Sequence, residues 1–371
     1  MLSRRSLLLS SAALIGCRKP KATGYSGYCF VADQDGHSLS VVDLTTFRRW
    51  RPVPLDAAPS QLLPHPRLPQ VFALAAQEGV VYRIDVASLA VVRRARAGTH
   101  AVSMRLSTEG DALWVLYRDP ASLVELTLDT LEPRRHIPLP GAPDDFDLSP
   151  DHRAAVASSA LGAVVIASLD RAAIERAVAL EAQPAIVRFQ QKGAQIVAGC
   201  PSDRSLIMVD VAGGRVIVRL PVPIQPRHFC FSSDEGQLFV TGEGKDAVVI
   251  AYPYQTEIGE TILAGRAPAG MAIAGPAAQP YLLVANPDTN TVTVLDINYR
   301  KLAAVVQVGQ EPREILITPD NQYALVLNQK SGDLAVIRIA ALAARRYKSA
   351  PLFNLIPVGQ KPVSAAVVAL T

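Results

Sequence analysis

Residues 281–320 read YLLVANPDTNTVTVLDINYRKLAAVVQVGQEPREILITPD. This stretch holds three short β-rich runs, at residues 281–285, 291–296 and 303–308. A fourth run, residues 313–317, follows Pro312. Each has the length and β-branched content of a strand, and Gly, Pro, Asn or Asp mark most junctions. The fourth run ends in Thr318-Pro319-Asp320, a turn signal, after which residues 323–327 start the pattern again. One unit is therefore four strands.

The unit recurs along the chain. The proline before the fourth run has equivalents at Pro59, Ala101 (where proline is replaced), Pro143, Pro184, Pro226, Pro268, Pro312 and Pro362. Neighbouring markers lie 41 to 44 residues apart, except the last pair, 50 apart. A turn follows several markers. Ser149-Pro150-Asp151 is clear, Ser232-Ser233-Asp234 is recognisable and His65-Pro66-Arg67 is degraded. A unit of this size cannot bury its own apolar faces, so copies must stack. Eight markers predict an all-β protein, a β-propeller of eight four-stranded blades, with seven as the alternative. The blade beginning at Tyr28 lacks an innermost strand, while residues 363–370 form an inner strand with nothing after it. Pairing the two closes the ring and covers two sheet edges.

These residues resemble the YVTN-type (YncE-like) β-propeller repeat. The likeness rests on Val308-Gly309, Pro312, Ile315, Thr318-Pro319-Asp320, Leu325-Val326-Leu327-Asn328, Leu283-Val284-Ala285-Asn286 and Val292-Thr293-Val294-Leu295-Asp296. It covers roughly residues 28–371 and implies the fold. It says little of function, because propellers host unrelated activities. Many relatives are seven-bladed; the marker count favours eight.

The N-terminus reads separately. Ser3-Arg4-Arg5-Ser6-Leu7-Leu8-Leu9 resembles a twin-arginine export signal, and residues 7–15 are too short an apolar run to span a bilayer. Leu14-Ile15-Gly16-Cys17 resembles a lipobox with Cys17 as the lipidated residue. The expectation is a signal peptide over residues 1–16, a lipidated tether over 17–27 and a propeller over 28–371. The protein is then an exported periplasmic or outer-membrane lipoprotein, held to the membrane by its N-terminal lipid. Arg18 instead of Asp after the cysteine favours the outer membrane.

Composition narrows the function. Losing Arg4 and Arg5 with the leader lowers the formal charge from +4 to +2, which gives no footprint for nucleic acid. Cys29, Cys200 and Cys230 lie on apolar strands without CxxC spacing and read as buried and inert. No HExxH, HxH or GxSxG occurs, so no metal site and no catalytic residue is assigned. Gly213-Gly214 reads as a hairpin turn, and residues 340–348 (AALAARRYK) suit a short helix.

Candidate site residues come from the repeat phase. The two positions after each marker begin the inner strands and lie near one mouth of the channel. They include Gln61, Asp144-Asp145, Arg227-His228 and Arg313-Glu314, with Ala269-Gly270 between the last two pairs. Arg227 and Arg313 suit a carboxylate or phosphate. His228 suits acid–base or ligand chemistry. Asp144, Asp145 and Glu314 form the expected opposing wall. His100, just before the inner strand of the third blade, is a further candidate for the mouth. His65, His37 and His152 fall in turns, with a solvated role expected for His65, and His136 precedes an outer strand. Against this stands the plain fact that channel-lining positions are wet and polar in any propeller.

Three functions follow. The first is a non-catalytic, monomeric envelope propeller that binds a protein, glycan or small ligand and needs no cofactor. The second is a haem-binding propeller, since eight blades and a twin-arginine signal resemble the haem domain of nitrite reductase and its lipoprotein assembly factor. It requires an axial histidine, His100 or His228. The third is a lactonase-like hydrolase, with Arg227, His228, Arg313 and Glu314 as its only polar cluster.

Overall fold

The computed structural model describes residues 24–342 and 350–370. The expected signal peptide, Cys17, most of the tether and most of the segment 340–348 lie outside the described residues. Strands dominate because the apolar runs are short, β-branched and punctuated by turn residues. They assemble into eight antiparallel sheets. In chain order the blades are sequential, each running from an inner to an outer strand.

Blade 1 is the exception, as the repeat phase requires. Its inner strand is Pro362–Ala369, paired with Gly27–Asp33, and the sheet continues to Ser38–Asp43 and the short outer pieces Arg48–Arg49 and Val53–Pro54. The closure is reinforced beyond the ladder. The Asp33 carboxylate accepts from the Gly359 amide at 2.9 Å, and the Leu62 amide of blade 2 donates to Ser364 Oγ at 3.1 Å. The propeller begins slightly before the expected boundary, with the first strand starting at Gly27 and Tyr25 packing against the core between blades 8 and 1.

The core is divided among the blade interfaces. Each of eight apolar clusters draws side chains from two neighbouring blades. Strand Tyr281–Asn286 shows why. Leu282 and Val284 pack toward blade 6, while Tyr281, Leu283 and Ala285 pack toward blade 8. Period-two alternation here sorts residues between two buried faces, so the strand reads as a continuous apolar run.

The repeated turns share one chemistry. Thr318 Oγ1 donates to Asp320 Oδ1 at 2.6 Å and accepts from the Tyr323 amide at 3.0 Å. Ser232 does the same with Asp234 and the Gln237 amide. In blade 2, His65 replaces the hydroxyl: its Nδ1 accepts from the Arg67 and Leu68 amides at 3.0 and 2.9 Å. His65 is only 8% exposed, which corrects the solvated role expected for it. His136 lies inside the outer strand Pro133–Pro138, not before it. Cys29 and Cys200 are buried, and burial pushes both thiols up to about 12.

Candidate functional site

Arg227 and Arg313 occupy the same structural feature in two blades. In blade 6 the ladder pairs Pro226 with Gly242 and His228 with Thr241, leaving Arg227 as an extra residue. In blade 8 it pairs Pro312 with Asn328 and Glu314 with Leu327, leaving Arg313 as the extra residue. A bulge releases a side chain from the pleat's alternation and re-aims it. Blade 7 lies between them and presents Ala269 and Gly270 at these positions. Its inner strand, Met271–Ala274, starts late. Gly270 donates its amide to Arg313 O at 3.0 Å, and a Cβ there would meet that oxygen at 2.3 Å, so only glycine allows the approach.

Small residues flanked by two bulged arginines leave a notch. It is a cavity of about 520 Å³ lined by Arg227, His228, Ala269 and Arg313, by Glu243, Lys245 and Asp246 of the blade 6 hairpin, by Arg266 and by Asp288. Arg227 Nη2 lies 3.5 Å from Glu243 Oε1. Arg313 donates from Nε and Nη2 to Glu311 Oε1, at 2.9 and 2.8 Å. Lys245 and Arg266 make no hydrogen bond or ion pair among the described residues.

His228 is accessible to water yet walled by protein. Burial first, then the charges of Arg313 and Arg227, hold its imidazole below the usual histidine range, so it is neutral at pH 7. Its ring has no hydrogen-bond partner among the described residues. Glu314, the next residue after Arg313, has no ion-pair partner there either, and burial pushes its carboxyl up to about 7.

The other expected residues lie elsewhere. Asp145 joins a network across blades 3 to 5. It pairs with Arg188, lies 3.9 Å from Arg105 and accepts from the Val187 amide at 3.1 Å. Asp147 lies 3.5 Å from Arg105 Nη1 and accepts from the Phe189 amide at 2.8 Å. Burial outweighs the pairing there, raising the Asp147 carboxyl and lowering Arg105. Asp144 accepts from Arg118 at 3.0 Å and from the Ser159 amide at 2.7 Å. Gln61 exchanges two hydrogen bonds with the backbone of Met104, at 2.8 and 3.0 Å. These three stitch neighbouring blades together and do not line the notch with Arg227, which corrects the opposing wall expected of the aspartates. Gln61 and Asp145 take partners from the following repeat and Asp144 takes Arg118 from the preceding one, so an adjacent blade supplies the fixed donor or opposite charge. His100 lies inside the inner strand Thr99–Leu106, not just before it as expected; it is exposed with φ 49°, the backbone conformation that Ala267, Glu311 and Lys361 also adopt, and it does not line the notch. Lys245 and Arg266 were not candidates from the sequence, because they lie on turns outside the positions that follow the markers.

The fold and its ring of interfaces define a β-propeller. Residues 217–343 match the family model described as lactonase, 7-bladed beta-propeller, a span that contains the whole notch, although this chain has eight blades. No curated protein sequence matches the chain. Among solved structures, one chain of Kuenenia stuttgartiensis hydrazine synthase is similar at 19% identity and a TM-score of 0.61, over 76% of this chain and 96% of that one. The dihydro-heme d1 dehydrogenase NirN, solved in complex with DHE, is similar at 16% identity and a TM-score of 0.76, over 92% of this chain and 75% of that one. At such identity these likenesses speak for the fold alone.

Proposed function

We propose that this protein is a non-catalytic, ligand-binding propeller of the cell envelope, and that it holds a small anionic organic ligand in the notch of blades 6 to 8. The observation that carries this reading is the pair of bulged arginines aimed into one cavity across the small residues of blade 7. Arginine matches carboxylate geometry, and two arginines on one cavity favour an anion there. The envelope location is supported by Arg4-Arg5 in the leader-like N-terminus and by the lipobox-like residues ending at Cys17.

A second reading has its own support. His228 is neutral, accessible and unpartnered, with an arginine on either side, and the fold is similar to that of NirN in complex with DHE. These residues fit a haem-type tetrapyrrole: His228 would hold the iron, and Arg227 and Arg313 the peripheral carboxylates. Such a group would supply redox or ligand-exchange chemistry when bound.

One preparation tests both readings. Protein purified from its native envelope is examined by absorption spectroscopy and by mass spectrometry of the small molecules released on denaturation. An organic acid without visible absorption supports the first reading, and a Soret-region band supports the second. The same ligand retained by Arg227→Ala with Arg313→Ala, the fold being intact, overturns both.

A further inference from the structure

The notch holds two kinds of cation. Arg227 and Arg313 each face a carboxylate of their own chain. Lys245, on the blade 6 hairpin, and Arg266, on the connection into blade 7, have no such partner among the described residues, yet line the same cavity. Single surface cations are commonplace, but two unpaired ones lining the same cavity as two paired ones, with Asp246 and Asp288 as the other carboxylates there besides Glu243, need an explanation.

The two internal carboxylates differ in how firmly they are held. Glu311 gives one oxygen to two donors of Arg313, and its backbone is pinned on both sides. Its amide donates to Asn290 Oδ1 at 2.9 Å, and its carbonyl accepts from the Gln329 amide at 3.0 Å. Glu243 makes one long contact to Arg227, at 3.5 Å, and its side chain is 68% exposed. Exposed pairs of that kind contribute little to stability. An incoming acid group can therefore replace Glu243 on Arg227 at small cost, while Arg313 stays occupied. A ligand with one acid group is satisfied by Lys245 and Arg266 and gains little by displacing Glu243 as well. A ligand with two reaches both points. The cavity, at about 520 Å³, has the size of small-molecule sites (roughly 300–1,000 Å³) and is far larger than the ~30 Å³ share of one water molecule.

We propose that the ligand is a dianionic organic molecule, with one acid group on Lys245 and Arg266 and the other on Arg227 in place of Glu243. The proposal rests on reading the notch as an anion site, and it makes Glu243 a specificity device that keeps Arg227 closed to monoanions.

The test is calorimetric titration of the full chain with dicarboxylates from succinate to suberate, and with the monocarboxylates of matching length, at fixed ionic strength. At least one dicarboxylate is expected to bind at least about tenfold more tightly than its monocarboxylate partner. Lys245→Ala with Arg266→Ala should abolish that preference, and Glu243→Gln should tighten dicarboxylate binding several-fold. Equal binding of the two classes, whether weak or absent in both, overturns the proposal. So does a preference that survives Lys245→Ala with Arg266→Ala. Binding that ignores Lys245→Ala with Arg266→Ala but is lost in Arg227→Ala with Arg313→Ala leaves the anion site standing and removes only the two-point ligand. Binding indifferent to both double variants removes both. Circular dichroism of each variant separates loss of binding from loss of fold.

Discussion

At blades 3 to 5 the inner strands set Arg105 and Arg188 against Asp145 and Asp147. At blades 6 to 8 they set Arg227 and Arg313 around a cavity. Both groups sit on inner strands of the same repeat, and both contain two arginines. They differ in what the adjacent repeat offers. Blade 4 brings two carboxylates between its neighbours' guanidinium groups, and each aspartate also caps an amide of blade 5. Blade 7 brings Ala269 and Gly270, which leave space instead of charge. A polar inner strand thus becomes a staple or a binding site according to the residue one repeat away, and pairing separates the two better than polarity does.

Both regions depend on the ring being shut, so the largest expected effect comes from opening it. Deleting residues 358–371 removes the inner strand of blade 1 and the Asp33–Gly359 bond, and exposes the blade 8 interface beside Arg313. Loss of a single cooperative thermal transition is expected, because each blade is held mainly by its neighbours. An unchanged melting curve would refute the closure.

Removing a charge should then separate the staple from the notch. Asp145→Ala leaves Arg188 without its carboxylate, and Arg105 with Asp147 alone, in a largely buried setting, and should cost on the order of 3 kcal/mol in urea unfolding. Arg227→Ala removes one partner of an exposed pair and should cost less than about 1 kcal/mol. Equal costs would mean that the notch is also a staple.

How much of this was legible follows the same logic. Eight blades could be counted because Pro59 to Pro362 and the Ser149, Ser232 and Thr318 turns repeat locally along the chain. Arg227, His228 and Arg313 could be grouped because they share one repeat phase. The staple was not recognised, although its signal was present: Asp145 and Arg188 are 43 residues apart, about one repeat, and carry opposite charges. The bulges at Arg227 and Arg313 leave no mark in residue type, since an extra ladder residue looks like any other strand residue. Lys245 and Arg266 sit on turns whose positions around the mouth are set by the ring, and only three-dimensional closure brings them to the notch.

Protonation offers a finer contrast. Burial raises the Glu314 carboxyl from its ordinary value of 4.5 to about 7. Between these values the folded protein keeps a proton that the unfolded chain has released. The associated stability is fully present below about 4.5 and is lost as pH rises through about 7. Compared with Glu314→Gln, the wild type should lose up to about 3 kcal/mol across that window, read from urea unfolding at several pH values. Parallel curves for the two proteins would mean that Glu314 is solvated and outside the wall of the channel.

Ligand affinity decides the functional reading. Each charged hydrogen bond lost from the notch, as in Arg227→Ala, should weaken anion binding by about 1.5–3 kcal/mol. Arg118→Ala, whose partner Asp144 lies in the stapled half, should leave binding unchanged. A comparable loss in both variants would show that binding follows overall charge and not the notch.

The most direct measurement is a crystal structure of the protein grown with a dicarboxylate. The ligand is expected in the notch of blades 6 to 8, with one acid group on Arg227, Glu243 turned away and the Arg105, Arg188, Asp145 and Asp147 network unchanged. An empty notch at saturating ligand, or the ligand seated among Arg105 and Arg188 instead, would contradict this reading.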